Sequence, residues 1–302
     1  MRRVPRRLRV GDRVALVAPS GPPPLEQLDA GTAVLAGWGL DVEPLVPGRH
    51  PRLPYLVDDD IARAKRLQQA WCDPEVAAVI CVRGGYGAIR VLDLLDRAAL
   101  AAAPPKVFAG SSDITALHTD LGPLCDLVTL FSPLVASERF VRDAAAQEHF
   151  RAALFDPPAE IVAGPAAGTV HGGLATGVTV GGTLSLLAAG LGAPSTPPPP
   201  DGAIVLLEDI TELPYRIDGL LTQLLRAGWF DRAAGVVCGS WHRCGDPEQV
   251  HDVLVDRLAP LGIPFVTEFG FGHCVDQLTI PLGATMTLDA DARVLRWSGL
   301  GG

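Results

Sequence analysis

The chain has 302 residues, 48% hydrophobic and 20% charged, with 33 glycines and 27 prolines; this length suits about two domains and the composition excludes fibrous and disordered classes. With 34 acidic against 25 basic residues the formal net charge is −9, so a nucleic acid would need a local basic patch. The one such cluster is Arg2, Arg3, Arg6, Arg7, Arg9 and Arg13, which reads as a solvated leader rather than a tether to an anionic surface. The apolar run behind it, 14–18, is too short for a signal-peptide core or a membrane span. Neither a nucleic-acid nor a membrane partner is expected.

From Arg13 short β-branched runs alternate with segments whose apolar residues recur every three or four positions, the pattern of βα units on a mostly parallel sheet. Strands are predicted at 14–18 and 41–45, with a helix carrying Leu25, Leu28, Val34 and Leu35 between them. A second helix over 58–71 places Ile61, Ala64, Leu67 and Trp71 on one face, with Asp58 or Asp59 as its cap. Buried strands follow at 76–82, 106–109 and 126–131, then a helical stretch from about 142 to 155. The Pro/Ala/Gly-rich passage 156–168 offers little to anchor a core and is read as a linker between an N-terminal domain, 1–155, and a C-terminal domain, 169–302. In the second half, strands at 203–207, 235–239, 263–268, 277–280, 284–288 and 294–297 accompany helices at 215–227 and 247–258. Pro197 to Pro200 is a stiff connector.

The six cysteines lie far apart without a CxxC pair, the pattern of reduced thiols in a cytosol, so a cytoplasmic protein is expected. Cys238, His242 and Cys244 invite a zinc reading, but no fourth ligand stands at ribbon spacing. Neither a metal nor a cofactor is expected.

Three places carry chemistry. Phe108 to Thr115 runs from an apolar strand through glycine and two serines into a helix. A serine at such a turn is exposed at the carboxyl edge of a sheet, where free backbone N–H groups meet an oxyanion; alternatively Ser111, Ser112 or Asp113 merely caps the helix. Arg83-Gly84-Gly85-Tyr86-Gly87 follows a strand and suits a phosphate cradle, an oxyanion donor or a plain tight turn. Glu208, at the end of a strand, and His273, in a glycine loop, are the carboxylate and imidazole that a nucleophilic serine requires. Glu208, Asp209 and Glu212 also admit a glycosidase acid pair or a hard-cation site. His118, His149, His171, His242 and His251 read as surface or structural residues.

Taken together, these stretches resemble the LD-carboxypeptidase family of serine peptidases, which includes the murein tetrapeptide carboxypeptidases and the microcin C7 self-immunity proteins. The likeness spans nearly the whole chain: 14–20, Arg83 to Gly87 with Arg90 and Asp96, Gly110 to His118, Gly181-Gly182 with Leu184, Leu207-Glu208-Asp209 with Tyr215, Ile217 and Asp218, and Gly272-His273 followed by Pro281-Leu282-Gly283. The resemblance implies an α/β protein, with a flavodoxin-like parallel-sheet domain followed by a domain with a small β-barrel-like sheet and helices, assembled as a homodimer. It implies a Ser112–Glu208–His273 triad without metal, in the crevice between the domains. The backbone N–H groups of Asp113, Gly84 and Gly85 would then donate to the oxyanion. Arg83 is the candidate for the substrate's terminal carboxylate, with a fold-supporting salt bridge as its other reading, and Tyr86 joins it as a candidate substrate contact.

The activity implied is removal of the terminal D-alanine from murein tetrapeptide, a small peptide ending in a D-amino acid, during peptidoglycan recycling. A rival in the same class cleaves a peptidyl- or aminoacyl-nucleotide amide; a non-catalytic reading has Arg83 to Gly87 bind a nucleotide or sugar phosphate. The sequence departs from the family where Ser111 replaces an aromatic, Ser132 stands in place of the histidine of His-Gly, Thr183 replaces asparagine and Gly219 replaces arginine, which leaves substrate preference and dimer contacts open.

Overall fold

A computed structural model describes residues 2–298 except 47, 49 and 51. Residue 1 of the expected first domain and residues 299–302 of the second lie outside the described residues. The first sheet holds five parallel strands, β1 (Arg13–Val17), β2 (Asp41–Leu45), β3 (Val76–Cys81), β4 (Val107–Gly110) and β5 (Thr129–Phe131). Alternate side chains of β1 feed opposite cores: Ala15 and Val17 pack with Trp71 and Phe108, whereas Val14 and Leu16 pack with Phe140 and Phe150. Burial on both faces explains why these strands read as continuous apolar runs.

The helix predicted at 58–71 forms over Asp60–Cys72, capped by Asp59, whose carboxylate accepts the Ala62 N–H at 2.7 Å. Ile61, expected on the buried face, is 72% exposed. Arg63 turns inward in its place, donating to the carbonyls of Pro19 and Gly87. The basic leader is docked through its backbone, while Arg3, Arg6, Arg7 and Arg9 stay exposed as expected. Arg3 pairs by backbone with the segment before β5, Arg6 and Arg7 form ion pairs with Asp12 and Asp156, both at 2.7 Å, and Leu8 is buried.

The second sheet contains β6 (Glu160–Val162), β7 (Gly168–His171), β8 (Leu174–Thr183), β9 (Ala203–Ile210), β10 (Ala233–His242), β11 (Phe265–Thr267), β13 (Thr285–Asp289) and β14 (Val294–Trp297), ordered β6-β14-β13-β8-β9-β10-β11-β7. It is mixed and open, with β6 and β7 as unjoined edges. It does not close into the barrel-like form expected, because its faces are covered separately. Helices Leu184–Ala189, Pro214–Arg226 and Pro247–Leu258 pack on one face, and residues of the first sheet's β5 edge, Val128 and Phe131, join the core on the other.

Residues 156–168, expected as a linker, include edge strand β6 and the buried Ile161 and Ala167. Three paired residues are too few to mark composition. The strand expected at 277–280 forms instead as β12 (Ile280–Leu282), antiparallel to β5 at the edge of the first sheet. Late sequence thus completes the early sheet. β8 escapes sequence reading because glycines interrupt its alternation. The neighbouring chain runs so close that a Cβ on Gly177 would lie 1.7 Å from the Gly202 oxygen.

Candidate active site

Ser112 follows β4 at a sharp turn and opens the short 3-10 segment Ser112–Ile114 ahead of helix Thr115–Leu124. Its φ is +60°, the left-handed region that a non-glycine residue enters at a cost. Thr211, Arg243, Glu268 and Asp276, all within three residues of β9, β10, β11 or His273, share that region. The Ser-to-helix turn therefore has the strand–turn–helix context that presents a nucleophilic hydroxyl. The Ser111 side chain, one residue earlier, lies in a buried residue.

Asp113 is not a helix cap. Its Oδ2 accepts the Ser20 hydroxyl at 2.6 Å and the Ala88 N–H at 2.7 Å, joining the loops after β1, β3 and β4. Burial pushes its carboxyl above the usual range, although these donors and the nearby Arg63 oppose the shift. Arg63 ties the first two of these loops a second time through Pro19 and Gly87.

A side chain on Gly84 would begin 2.9 Å from the Ser112 Cβ and 3.0 Å from its Oγ. The glycine lets the main chain pass against the serine, and the N–H groups of Gly84 and Gly85 donate no hydrogen bond among the described residues. Arg83 is half-buried and forms neither an ion pair nor a hydrogen bond among the described residues. The salt-bridge reading of Arg83 therefore does not hold. Tyr86 is 49% exposed, its ring 6.0 Å from that of Tyr55.

Glu208, near the end of β9, is fully buried. Its Oε2 lies 2.7 Å from Nδ1 of His273, and its Oε1 accepts the Thr183 hydroxyl. A carboxylate only accepts, so Nδ1 carries the proton and Nε2 keeps its lone pair. Gly272, at φ +93°, makes this approach possible: a Cβ there would stand 2.5 Å from the same Glu208 oxygen. Burial depresses the His273 pKa, but the charge and hydrogen bond of Glu208, with help from Asp209, outweigh it and hold the imidazole above its ordinary value; Arg139 pulls the other way.

Ser112 and His273 make no direct hydrogen bond among the described residues. Their elements are joined through Thr115, whose Oγ1 accepts the Thr183 N–H at 3.0 Å, and then through Thr183 to Glu208. Catalytic hydrogen bonds are often long before substrate binds.

The acidic cluster disperses. Asp209 accepts the Ser185 N–H at 2.7 Å and the Ile210 N–H at 2.8 Å, and burial, reinforced by the charge of Glu208, pushes its pKa up to about 7. Glu212 pairs with Arg216 at 2.7 Å. These separate partners do not form the acid pair or cation cage the sequence also allowed. Of the remaining histidines, His118 is buried between Gly110 and Thr129, His149 and His171 bond to backbone, and His242 and His251 are exposed.

Sequence reading missed the roles that four residues play at this site. Thr183 registered only as a departure from family pattern; the glycine pair before it was its one signal. Ser20 and Asp113 gave no hint of their joint role, and Arg139, which shares a cleft of about 370 Å³ with His273, sits in a segment without a motif.

Residues 14–132 match the model of the LD-carboxypeptidase N-terminal domain and 176–288 that of the LD-carboxypeptidase C-terminal domain. A Streptomyces coelicolor protein, whose carboxypeptidase name is itself provisional, is 52% identical over 96% of this chain and 94% of its own. The murein tetrapeptide carboxypeptidase of Pseudomonas aeruginosa is 30% identical over 95% of this chain and 96% of its own. Among solved structures, muramoyltetrapeptide carboxypeptidase from Oxalobacter formigenes superposes with a TM-score of 0.81 at 30% identity, covering 94% of this chain and 97% of that one.

Proposed function

The chain belongs to the LD-carboxypeptidase family, and on that premise we propose that it is a serine carboxypeptidase releasing the terminal D-alanine of murein tetrapeptide. The observation that carries this reading is the 2.7 Å contact of His273 Nδ1 with the buried Glu208, which leaves Nε2 free to act. In acylation, Nε2 of His273 takes the Ser112 hydroxyl proton as Oγ bonds to the carbonyl carbon. The resulting oxyanion meets the N–H groups of Asp113, Gly84 and Gly85, each donor worth about 3 kcal/mol in the transition state. His273 then passes its proton to the amide nitrogen, the C–N bond breaks, and D-alanine leaves. Water repeats the sequence: His273 takes its proton, hydroxide attacks the acyl carbon, and the ester bond breaks as Ser112 recovers a proton.

Glu208 holds the imidazole in the required tautomer and stabilises the imidazolium. Arg83 and Tyr86, flanking the oxyanion donors, contact the peptide on its acyl side. The N-terminal half supplies the nucleophile and the C-terminal half the base. The family resemblance supports a cytoplasmic homodimer in peptidoglycan recycling.

The test is release of D-alanine from L-Ala-γ-D-Glu-meso-diaminopimelate-D-Ala. Wild type should release it, and Ser112→Ala or His273→Ala should lower kcat by about 10⁴-fold or more. No release by wild type refutes the reading.

A further inference from the structure

A carboxypeptidase cleaves the amide beside a free carboxylate, and that carboxylate lies two bonds from the leaving nitrogen. Whatever cation holds it must stand close to the group that protonates that nitrogen, which under the function proposed above is His273. Arg139 meets this requirement. It lines the same cleft as His273, together with Ser240, His242, Glu268 and Cys274. The segment it belongs to begins on the nucleophile's side: the Leu134 Cδ1 would lie 3.4 Å from a Cβ on Gly84, the residue pressed against Ser112. The short helix Glu138–Arg142 follows, capped by Ser137 and anchored by the buried Phe140.

Within that helix Arg142 is paired with Glu138 at 2.9 Å. Arg139, half-buried, has no ion pair and no hydrogen bond among the described residues. An unpaired guanidinium beside a base that must accept a proton works against the reaction, and its field does lower the affinity of both His273 and His242 for protons. The charges acting on His273 are those of Glu208 and Asp209, which hold its proton, and of Arg139, which opposes it, while His242 and Glu268 line the same cleft. A bound carboxylate would neutralise the cation as substrate arrives and would meet a planar two-point donor. Arg83, by contrast, adjoins the oxyanion donors in sequence and is not among the residues that line the cleft with His273.

We propose that Arg139, not Arg83, holds the α-carboxylate of the departing residue and so makes the site selective for free C-terminal acids. The proposal rests on His273 as the proton donor to the leaving group, and binding tests it without turnover. Calorimetry would compare the tetrapeptide with its C-terminal amide on Ser112→Ala protein. The acid should bind about ten- to a hundredfold more tightly than the amide. Adding Arg139→Gln should erase that preference while leaving amide binding unchanged, Arg139→Lys should restore part of it, and Arg83→Gln should weaken acid and amide alike. In the active enzyme Arg139→Gln should raise KM for the acid more than it lowers kcat. Equal binding of acid and amide, a preference surviving Arg139→Gln, or a preference erased by Arg83→Gln would each overturn the proposal. If the acid preference depends on Arg139 but wild type releases no D-alanine, the carboxylate anchor stands and only the catalytic reading falls.

Discussion

Gly84 and Ser112 are pressed so closely together that no side chain fits between them: a Cβ on the glycine would start 2.9 Å from that of the serine. The contact brings the glycine-loop main chain against a hydroxyl already held at φ +60°. Gly84→Ala should therefore push the loop off the serine and remove at least one oxyanion donor, lowering kcat about 10²- to 10³-fold. Steady-state kinetics of D-alanine release, with circular dichroism to verify folding, is the check.

Thr183 supplies the hydroxyl that satisfies Oε1 of the buried Glu208. Thr183→Val leaves that oxygen without its donor, at a cost of about 1–3 kcal/mol in stability, and loosens the seat of His273. Denaturant melts should show the loss, and kcat should drop about tenfold or more. Thr183→Ser should recover most of both. Thr183→Asn should also retain activity because its amide can donate to the same oxygen.

The pH profile reports the Glu208–His273 pair. Imidazole works as a base only when neutral, and Glu208 overcomes burial to raise its pKa, so kcat/KM should decline on the acid side from a point above the ordinary value of about 6.5. Glu208→Gln should lower the plateau about 10⁴-fold and move the acid limb to lower pH. A limb that stays in place would show that another group controls it. For stability the sign is opposite: the raised imidazole strengthens the fold fully below its unfolded value and loses that contribution as pH rises through its folded value.

His118 provides the opposite case. It is fully buried, and burial lowers its pKa to about 4 despite its hydrogen bond to the Gly110 carbonyl. The native ring stays neutral while the unfolded one gains a proton, so stability falls as pH drops from about 6.5 toward 4. Relative to His118→Gln, the wild type should lose about 3 kcal/mol across that window. Urea unfolding at several pH values measures the difference.

Elements with a strong local signature were legible. The β3 run Val76–Cys81 and the helix Asp60–Cys72 carry their periods in the chain itself. Ile61, expected on the buried face, is exposed, and Arg63 is buried instead, where it donates to the carbonyls of Pro19 and Gly87. No feature near position 63 announces those carbonyls. β6, β8 and β12 were missed or misplaced because each is defined by the strand it meets: β6 by β14, β12 by β5, and β8 by a neighbour close enough to require glycine.

The order of motifs along the chain was enough to point to the family, to an α/β architecture and to Ser112, Glu208 and His273 as candidates, because those signals are local: a strand, a turn and a residue type in the right place. The pairing of Glu208 with His273, the seating of Glu208 by Thr183, the knot of Ser20 and Asp113, and the unpaired guanidinium of Arg139 beside the imidazole belong to the folded chain alone. Hydrogen bonds and fields act over a few ångströms, and residues 65 and 93 positions apart, as Glu208 and His273 or Ser20 and Asp113 are, come within that reach only once the strands that carry them have joined one sheet.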